Sequence, residues 1–315
     1  MQRRRISLPL LALLGGATGI GFAPILVRLT DTGPTATAFY RLLFALPLLW
    51  LWSSWENRRV PSTPRPQNAG DFVCLALTGL LFTADLSIWH WSLRLTNVAN
   101  STLLTNVAPI FVTIGARFLL NETITRNFVL GLCLAVLGSA LLVGTSLQLE
   151  PGQWLGDVLA MVAAIFYGGY LLMVKFLRRR FTTPTIMAWA GLASCPAFAI
   201  VALASGDSMQ PSHGAGWAAI VTLALVSHVG GQTLITYGFG HLPASFSSVS
   251  LLWQPVVAAI AACVFLKEPL TWWQVSGGLV VLAGIALATP TLGSKPAPAA
   301  AGTGTGTGGL PRNSL

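Results

Sequence analysis

STLLTNVAPIFVTIGARFLLNETITRNFVLGLCLAVLGSALL, residues 101–142, lies without a gap over SSVSLLWQPVVAAIAACVFLKEPLTWWQVSGGLVVLAGIALA, residues 247–288, at a shift of 146 residues. Of the 42 pairs, 12 are identical, among them Pro109 on Pro255, Glu122 on Glu268, Thr125 on Thr271, Gly131 on Gly277 and Gly138 on Gly284. Both copies are apolar for most of their length. The chain is therefore duplicated, and two similar halves in a lipid-soluble chain are how many carriers build one central site that opens to either side.

The composition points to the same solvent. Of 315 residues 54% are hydrophobic and 9% charged, with a mean hydropathy of +0.70; a soluble domain carries about 25% charged residues. Barrel strands are excluded, because they are short and alternate apolar with polar residues, and these segments do not alternate. The four cysteines, Cys74, Cys133, Cys195 and Cys263, lie inside apolar segments at no paired spacing, so neither a disulfide framework nor a metal motif is expected. A net charge of +9 would suggest nucleic acid in a soluble protein. Here the basic residues flank apolar segments, which makes anionic lipid the expected partner and nucleic acid an unexpected one. Arg3-Arg4-Arg5 ahead of an apolar run imitates a signal peptide. Nine further apolar segments follow, so it is read as the first span, held by its charges.

Ten spans are expected, over about 8–27, 35–52, 71–91, 98–119, 127–145, 154–174, 184–204, 216–237, 245–266 and 272–289. They group as one five-helix repeat in 1–149 and a second in 150–290, followed by a Gly/Ala/Thr/Pro-rich tail, 291–315, that is too polar and repetitive to form a core. With the N-terminus in the cytoplasm, the cytoplasmic flanks hold 13 basic residues (Arg3, Arg4, Arg5, Arg58, Arg59, Arg65, Arg126, Lys175, Arg178, Arg179, Arg180, Lys295 and Arg312) and the outer flanks 3 (Arg28, Arg94 and Lys267). That bias sets both termini inside. Five is odd, so the second half enters the membrane in the opposite sense, and the two units are inverted copies meeting at the centre.

Polar groups within the spans are few. Asp85 sits in the third span, with Trp89 four residues on and on the same helical face; a charge in hydrocarbon faces a cavity or a partner. An acid beside an indole can hold an ammonium group or carry a proton, or serve an internal ion pair. His90 follows at the helix end. Arg41 in the second span has three open roles: pairing with Asp85, fixing helix packing, or meeting an anionic solute. The fourth span carries Asn97, Asn100, Ser101, Thr102, Thr105 and Asn106, which do not share one stripe, so some must bond neighbouring helices. His228 and Gln232 face together in the eighth span. In the ninth, a run of serines precedes Trp253-Gln254, the better pocket candidates. Pro109 and Pro255 each free a carbonyl deep in a helix and bend it. Glu122 and Glu268 stand just before Thr125 and Thr271, placed to cap the next helix, a structural or gating role. No nucleotide-binding loop, His-Glu zinc motif or nucleophile elbow occurs, and an enzyme, a metal or a cofactor is not expected.

LRLTNVANSTLLTNVAPIFVTIGARFLLNETIT (93–125) and GFGHLPASFSSVSLLWQPVVAAIAACVFLKEPLT (238–271) each join a small-polar helix entry, a mid-helix proline and a terminal Glu. Over roughly 8–289 the chain resembles the drug/metabolite transporter superfamily in its bacterial EamA-type branch. The resemblance implies an inner-membrane carrier of ten helices in inverted halves, with a cavity between helices 1, 3, 4, 6, 8 and 9. It implies a small organic solute, such as an amino acid, another metabolite or a drug. By this analogy Asp85, Trp89, Asn106, His228, Gln232, Trp253 and Gln254 line the path, while Arg41, Pro109, Glu122, Pro255 and Glu268 shape or gate it. Asp85 and the His90 region stand outside the general motif. The expected function is secondary export by alternating access, driven by protons at Asp85 or simply downhill. Uptake of a related solute, and a channel or scaffold, are the alternative readings.

Overall fold

A computed structural model describes residues 2–60, 63–143, 152–206 and 208–290, without the side chains of residues 2–7 and of Ala99. The tail and the junction between the halves at 144–151 lie outside the described residues. The protein is an all-α, multi-pass membrane protein. Among the described residues nine helices are long and apolar enough to cross a membrane: α1 (Leu8–Arg28), α2 (Pro34–Arg59), α3 (Ala69–Leu95), α4 (Asn100–Leu119), α5 (Arg126–Val143), α6 (Trp154–Leu177), α7 (Thr183–Ser205), α8 (Gly214–His241) and α9 (Ala244–Leu266). A tenth, α10 (Trp272–Ala288), has 17 residues, roughly 25 Å at 1.5 Å per residue. Helix α2 runs past its expected end at 52 to Arg59, so Trp52 and Trp55 stay helical.

Local sequence explains the ends. Asn68 accepts from the Asp71 amide at 2.8 Å to start α3. Thr125 and its repeat mate Thr271 accept from Phe128 and Gln274 amides, and Thr271 completes a capping box with Gln274. The only non-glycine residues at positive φ among those described are Asn121 (55°) and Lys267 (59°), which are also repeat mates. Each closes its helix with a bond from the following Glu amide back to an alanine carbonyl, Glu122 to Ala116 at 3.0 Å and Glu268 to Ala262 at 3.4 Å.

Both expected proline bends are present, and both are breaks. Helix α4 is built from Val98–Thr105 and Ala108–Leu119, with Pro109 in the first turn of the second piece. Helix α9 is built from Ala244–Ser250 and Trp253–Leu266, with Pro255 placed likewise. A proline contributes no amide to the ladder, and at the start of a helix none is needed.

Helices α5 and α10 form the closest pair. Gly131, Ala135, Gly138 and Leu142 face Gly277, Val281, Gly284 and Ala288, all buried, at the 4-3-4 spacing of a helical seam. A Cβ on Gly138 would lie 2.5 Å from the Val281 nitrogen and 2.7 Å from the Gly277 oxygen; on Gly131, 2.5 Å from Ala288 nitrogen and 2.6 Å from Gly284 oxygen. Only glycine permits that approach. The helices run antiparallel, and each glycine meets the mate of the other. Further contacts come in matched pairs: α3 on α6 with α1 on α8, α3 on α7 with α2 on α8, and α4 on α6 with α1 on α9.

The 53–69 and 175–183 segments meet at one end of the bundle. Thr182 Oγ1 donates to Glu56 Oε2 at 2.6 Å, and Arg180 pairs with Asp71 at 2.5 Å. Arg58, Arg59, Arg126 and Arg179 belong to this same end, called the basic end below. Burial pulls the Arg178 guanidinium below its ordinary range there, and Glu56 opposes that shift.

Candidate functional site

The interior polar groups converge from five helices. Asp85 is 8% exposed on α3, yet it makes no hydrogen bond or ion pair among the described residues. Arg41 of α2 and Tyr167 and Tyr170 of α6 interact with it electrostatically. The Arg41 guanidinium lies over the Phe82 ring at 5.7 Å, and its buried Nε has no partner. The expected Arg41–Asp85 pair is therefore not a contact pair. The carboxyl and the guanidinium share one interior without a direct contact. An ionisable group without a direct partner in a low-dielectric interior is costly to charge.

Phenols and amides complete the wall. Tyr170 packs on Phe82 with ring centroids 5.2 Å apart, and Phe82 on His228 at 5.8 Å. Gln232 Nε2 donates to the Tyr170 hydroxyl at 2.6 Å, and Thr236 also bonds that phenol. Tyr167 lies beside Gln254, whose buried Nε2 makes no hydrogen bond among the described residues. His228 and Gln232 face together as expected, but on a π-helical stretch, Leu223–Gln232, inside α8. The wider turn brings His228, Gln232 and Thr236 onto one wall; such stretches recur at functional sites. A narrow crevice touches this wall, lined by Phe82, Tyr170 and His228 together with α7 residues such as Met187 and Ser194.

Other expected residues sit elsewhere. Asn106 is at the break of α4, where its amide donates to Ser139 Oγ of α5 at 2.8 Å, so it ties two helices together. Trp253, at the break of α9, donates to Thr18 Oγ1 of α1 at 2.9 Å. Trp89 is half-buried, stacks beside His90 at 5.4 Å, and its buried Nε1 has no partner. The serines and asparagines of α4 bond in several directions, as their lack of a common stripe required: Ser92 donates to Ser101 at 2.8 Å, and Asn97 accepts from the Asn100 amide at 2.7 Å.

The two glutamates correct the expectation. Glu122 does cap a helix, but not the next one. Its carboxylate accepts from Ala244 N (2.6 Å), Ser245 N (3.0 Å) and Ser245 Oγ (2.6 Å) at the start of α9, in the other half. Glu268 caps no helix. It pairs with Arg28 at 2.9 Å, both side chains exposed, and Thr271 caps α10 instead. The reason is spatial: Glu122 points across the end of the bundle to the start of α9, and Glu268 to the end of α1 at Arg28. Tyr167 and Tyr170 escaped the sequence reading, although two phenols three residues apart in an apolar helix were the signal available.

The sequence matches the EamA-like transporter family over residues 7–144 and 154–289. The chain belongs to that family. It is thus a secondary transporter of a small solute, in a transporter family and not an enzyme family. It is 25% identical over 271 residues to an uncharacterized transporter of Archaeoglobus fulgidus, covering 85% of this chain and 92% of that one. It is 26% identical over 233 residues to a probable terminal-alkyne amino-acid exporter of Streptantibioticus cattleyicolor, covering 72% and 76%. To the pseudopaline exporter of Pseudomonas aeruginosa it is 25% identical over 219 residues, covering 68% and 74%. A crystal structure of another protein has the same fold, at a TM-score of 0.76 and 17% identity, over 90% of this chain and 96% of that one. Among the described residues no three His, Cys, Asp or Glu side chains gather where a metal ion would sit.

Proposed function

We propose that this protein exports a small zwitterionic solute by alternating access between two inverted five-helix units, 1–149 and 150–290, with both termini in the cytoplasm. The carrying observation is the pair of opposite charges, Arg41 and Asp85, that share an interior without touching. A solute with a cationic and an anionic group inserts between them and satisfies both. Trp89 and the phenols of α6 offer ring faces to the cationic end, and the free Gln254 amide a donor to the anionic end. His228 and Gln232 set the wall, while Asn106 and Trp253 hold the helix breaks. Pro109 and Pro255 mark the points where α4 and α9 articulate. The amino-acid exporter among the relatives supports a zwitterion. The matched helix contacts and the exchange of glycine mates between α5 and α10 support inverted halves.

Asp85 is also the group placed to carry a proton. In proteoliposomes of the full chain, labelled amino acids should exchange by saturable counterflow. Asp85→Asn should keep some counterflow and lose accumulation driven by an imposed pH gradient. Arg41→Gln should raise the half-saturating concentration roughly tenfold, since a charge-assisted hydrogen bond contributes about 1.5–3 kcal/mol. Wild-type protein without counterflow for any zwitterion would refute the substrate reading. Accumulation that Asp85→Asn leaves intact would remove Asp85 as the coupling group.

A further inference from the structure

The two ends of the bundle are built from the same duplicated parts but are in different states. At the basic end, the first piece of α9, Ala244–Ser250, is buried at every residue. Its repeat mates at the opposite end, 98–104, are not: Val98 is 63% exposed and Thr102, Leu103 and Leu104 are half-buried. The second half of α8 is likewise sealed at Thr233, Ile235, Thr236, Gly238 and Phe239, while the corresponding end of α3 exposes Trp91, Arg94 and Leu95. The basic end is the more deeply buried of the two; below it is called the closed end and its opposite the open end.

The closed end is held by two charges on one elbow. Lys175 Nζ of α6 donates to the Leu242 carbonyl at 2.7 Å, and Glu122 takes the Ala244 and Ser245 amides and the Ser245 hydroxyl. Lys175 and Glu122 also attract each other. The mate of Glu122 is Glu268. The mate of Lys175 is Arg28, as Ile25-Leu26-Val27-Arg28-Leu29 lies over Leu172-Met173-Val174-Lys175-Phe176. At the open end these two hold each other, in solvent, and no further side-chain partner among the described residues. The equivalent elbow, Thr96–Val98, is bonded instead to Asp157 through Thr96 at 2.7 Å and capped by its own Asn97.

We infer that Lys175–Glu122 and Arg28–Glu268 are two alternating latches, each joining one residue from either half and gripping the elbow before a broken helix, α9 or α4, when its end shuts. When the basic end opens, Glu122 and Lys175 release Leu242–Ser245. Arg28 and Glu268 then part and take the Thr96–Val98 elbow. This rests on the alternating-access reading and names the groups that set the balance between its two states.

The test uses the full chain with Cys74, Cys133, Cys195 and Cys263 replaced by serine, and single reporters Val98→Cys and Ala244→Cys labelled by a membrane-impermeant maleimide. Whole cells report one end and inverted vesicles the other. Glu122→Ala should raise labelling of the Ala244→Cys reporter severalfold and lower that of the Val98→Cys reporter. Glu268→Ala should do the reverse. Lys175→Met must act as Glu122→Ala does, and if Ala244→Cys does not fold, the fall at Val98→Cys decides alone. Reporters that move together, or not at all, under Glu122→Ala overturn the inference; so does a Glu268→Ala variant that leaves both unchanged. Counterflow measured on wild-type protein separates the two claims. Flux without a reporter shift removes the latches alone, and a reporter shift without flux removes the substrate reading alone.

Discussion

Helices α5 and α10 are repeat mates, and so are α4 and α9, yet the two pairs differ. In the first, Gly131 meets Gly284 and Gly138 meets Gly277, so each helix presents the same surface to the other. In the second, the first piece of α9 is buried throughout while the matching piece of α4 is partly open, and Glu122 grips a helix where Glu268 grips an arginine. In the proposed inverted arrangement, a contact on the axis relating the halves is its own image. Contacts away from it come in two copies, which need not be made together.

The largest expected effect tests the symmetric pair. Gly138→Val and Gly277→Val should each cost about 3 kcal/mol, because a side chain there meets backbone; thermal unfolding in detergent measures it. Unequal losses would break the symmetry claim. Next comes the asymmetric pair. Glu122→Ala loses hydrogen bonds to a charged group, about 1.5–3 kcal/mol, whereas Glu268→Ala loses an exposed ion pair, roughly 0–1 kcal/mol. Equal thermal shifts in those two would erase the contrast between the ends. Thr125→Ala and Thr271→Ala remove matched caps and should each cost about 1 kcal/mol, which calibrates the method on a symmetric feature outside the core seam.

The smallest effect sits at the open end. Asp31 accepts from the Ser212 amide at 2.6 Å and faces His213 at 3.5 Å, and the Ser212 bonds hold its carboxyl below the usual carboxylate range. A lowered folded-state pKa stabilises above the ordinary value near 4 and is lost as pH falls through the folded value. Acidification below about pH 4 should therefore loosen the 208–213 segment, read by hydrogen exchange, and Asp31→Asn should remove that step while leaving the basic end unchanged. A loosening that spreads to Leu242–Ser245 would mean the two ends are not separate units.

Much of the fold was legible because hydrocarbon imposes simple rules. Length and apolarity place the helices, and matched prolines, glycines and threonines place the breaks, seam and caps. The site was legible in part. Asp85, His228, Gln232 and Gln254 stood out as polar groups in apolar runs; His228 lies by Phe82, Gln232 bonds Tyr170, and Gln254 lies beside Tyr167. Asn106 stood out for the same reason and belongs to a helix–helix tie, because local sequence cannot tell a polar group facing a cavity from one facing Ser139. Tyr167 and Tyr170 were overlooked because phenols blend into an apolar helix until a neighbour's amide is seen to bond them.

The sequence by itself determined the solvent, the succession of apolar helices and the duplication, since these follow from residue type and spacing along the chain. Only the tertiary structure decided that Arg41 and Asp85 stay apart, that Glu122 reaches the other half, and that the two ends are buried unequally. Those facts depend on which helix lies beside which, and a duplicated chain encodes two equal answers until packing selects one.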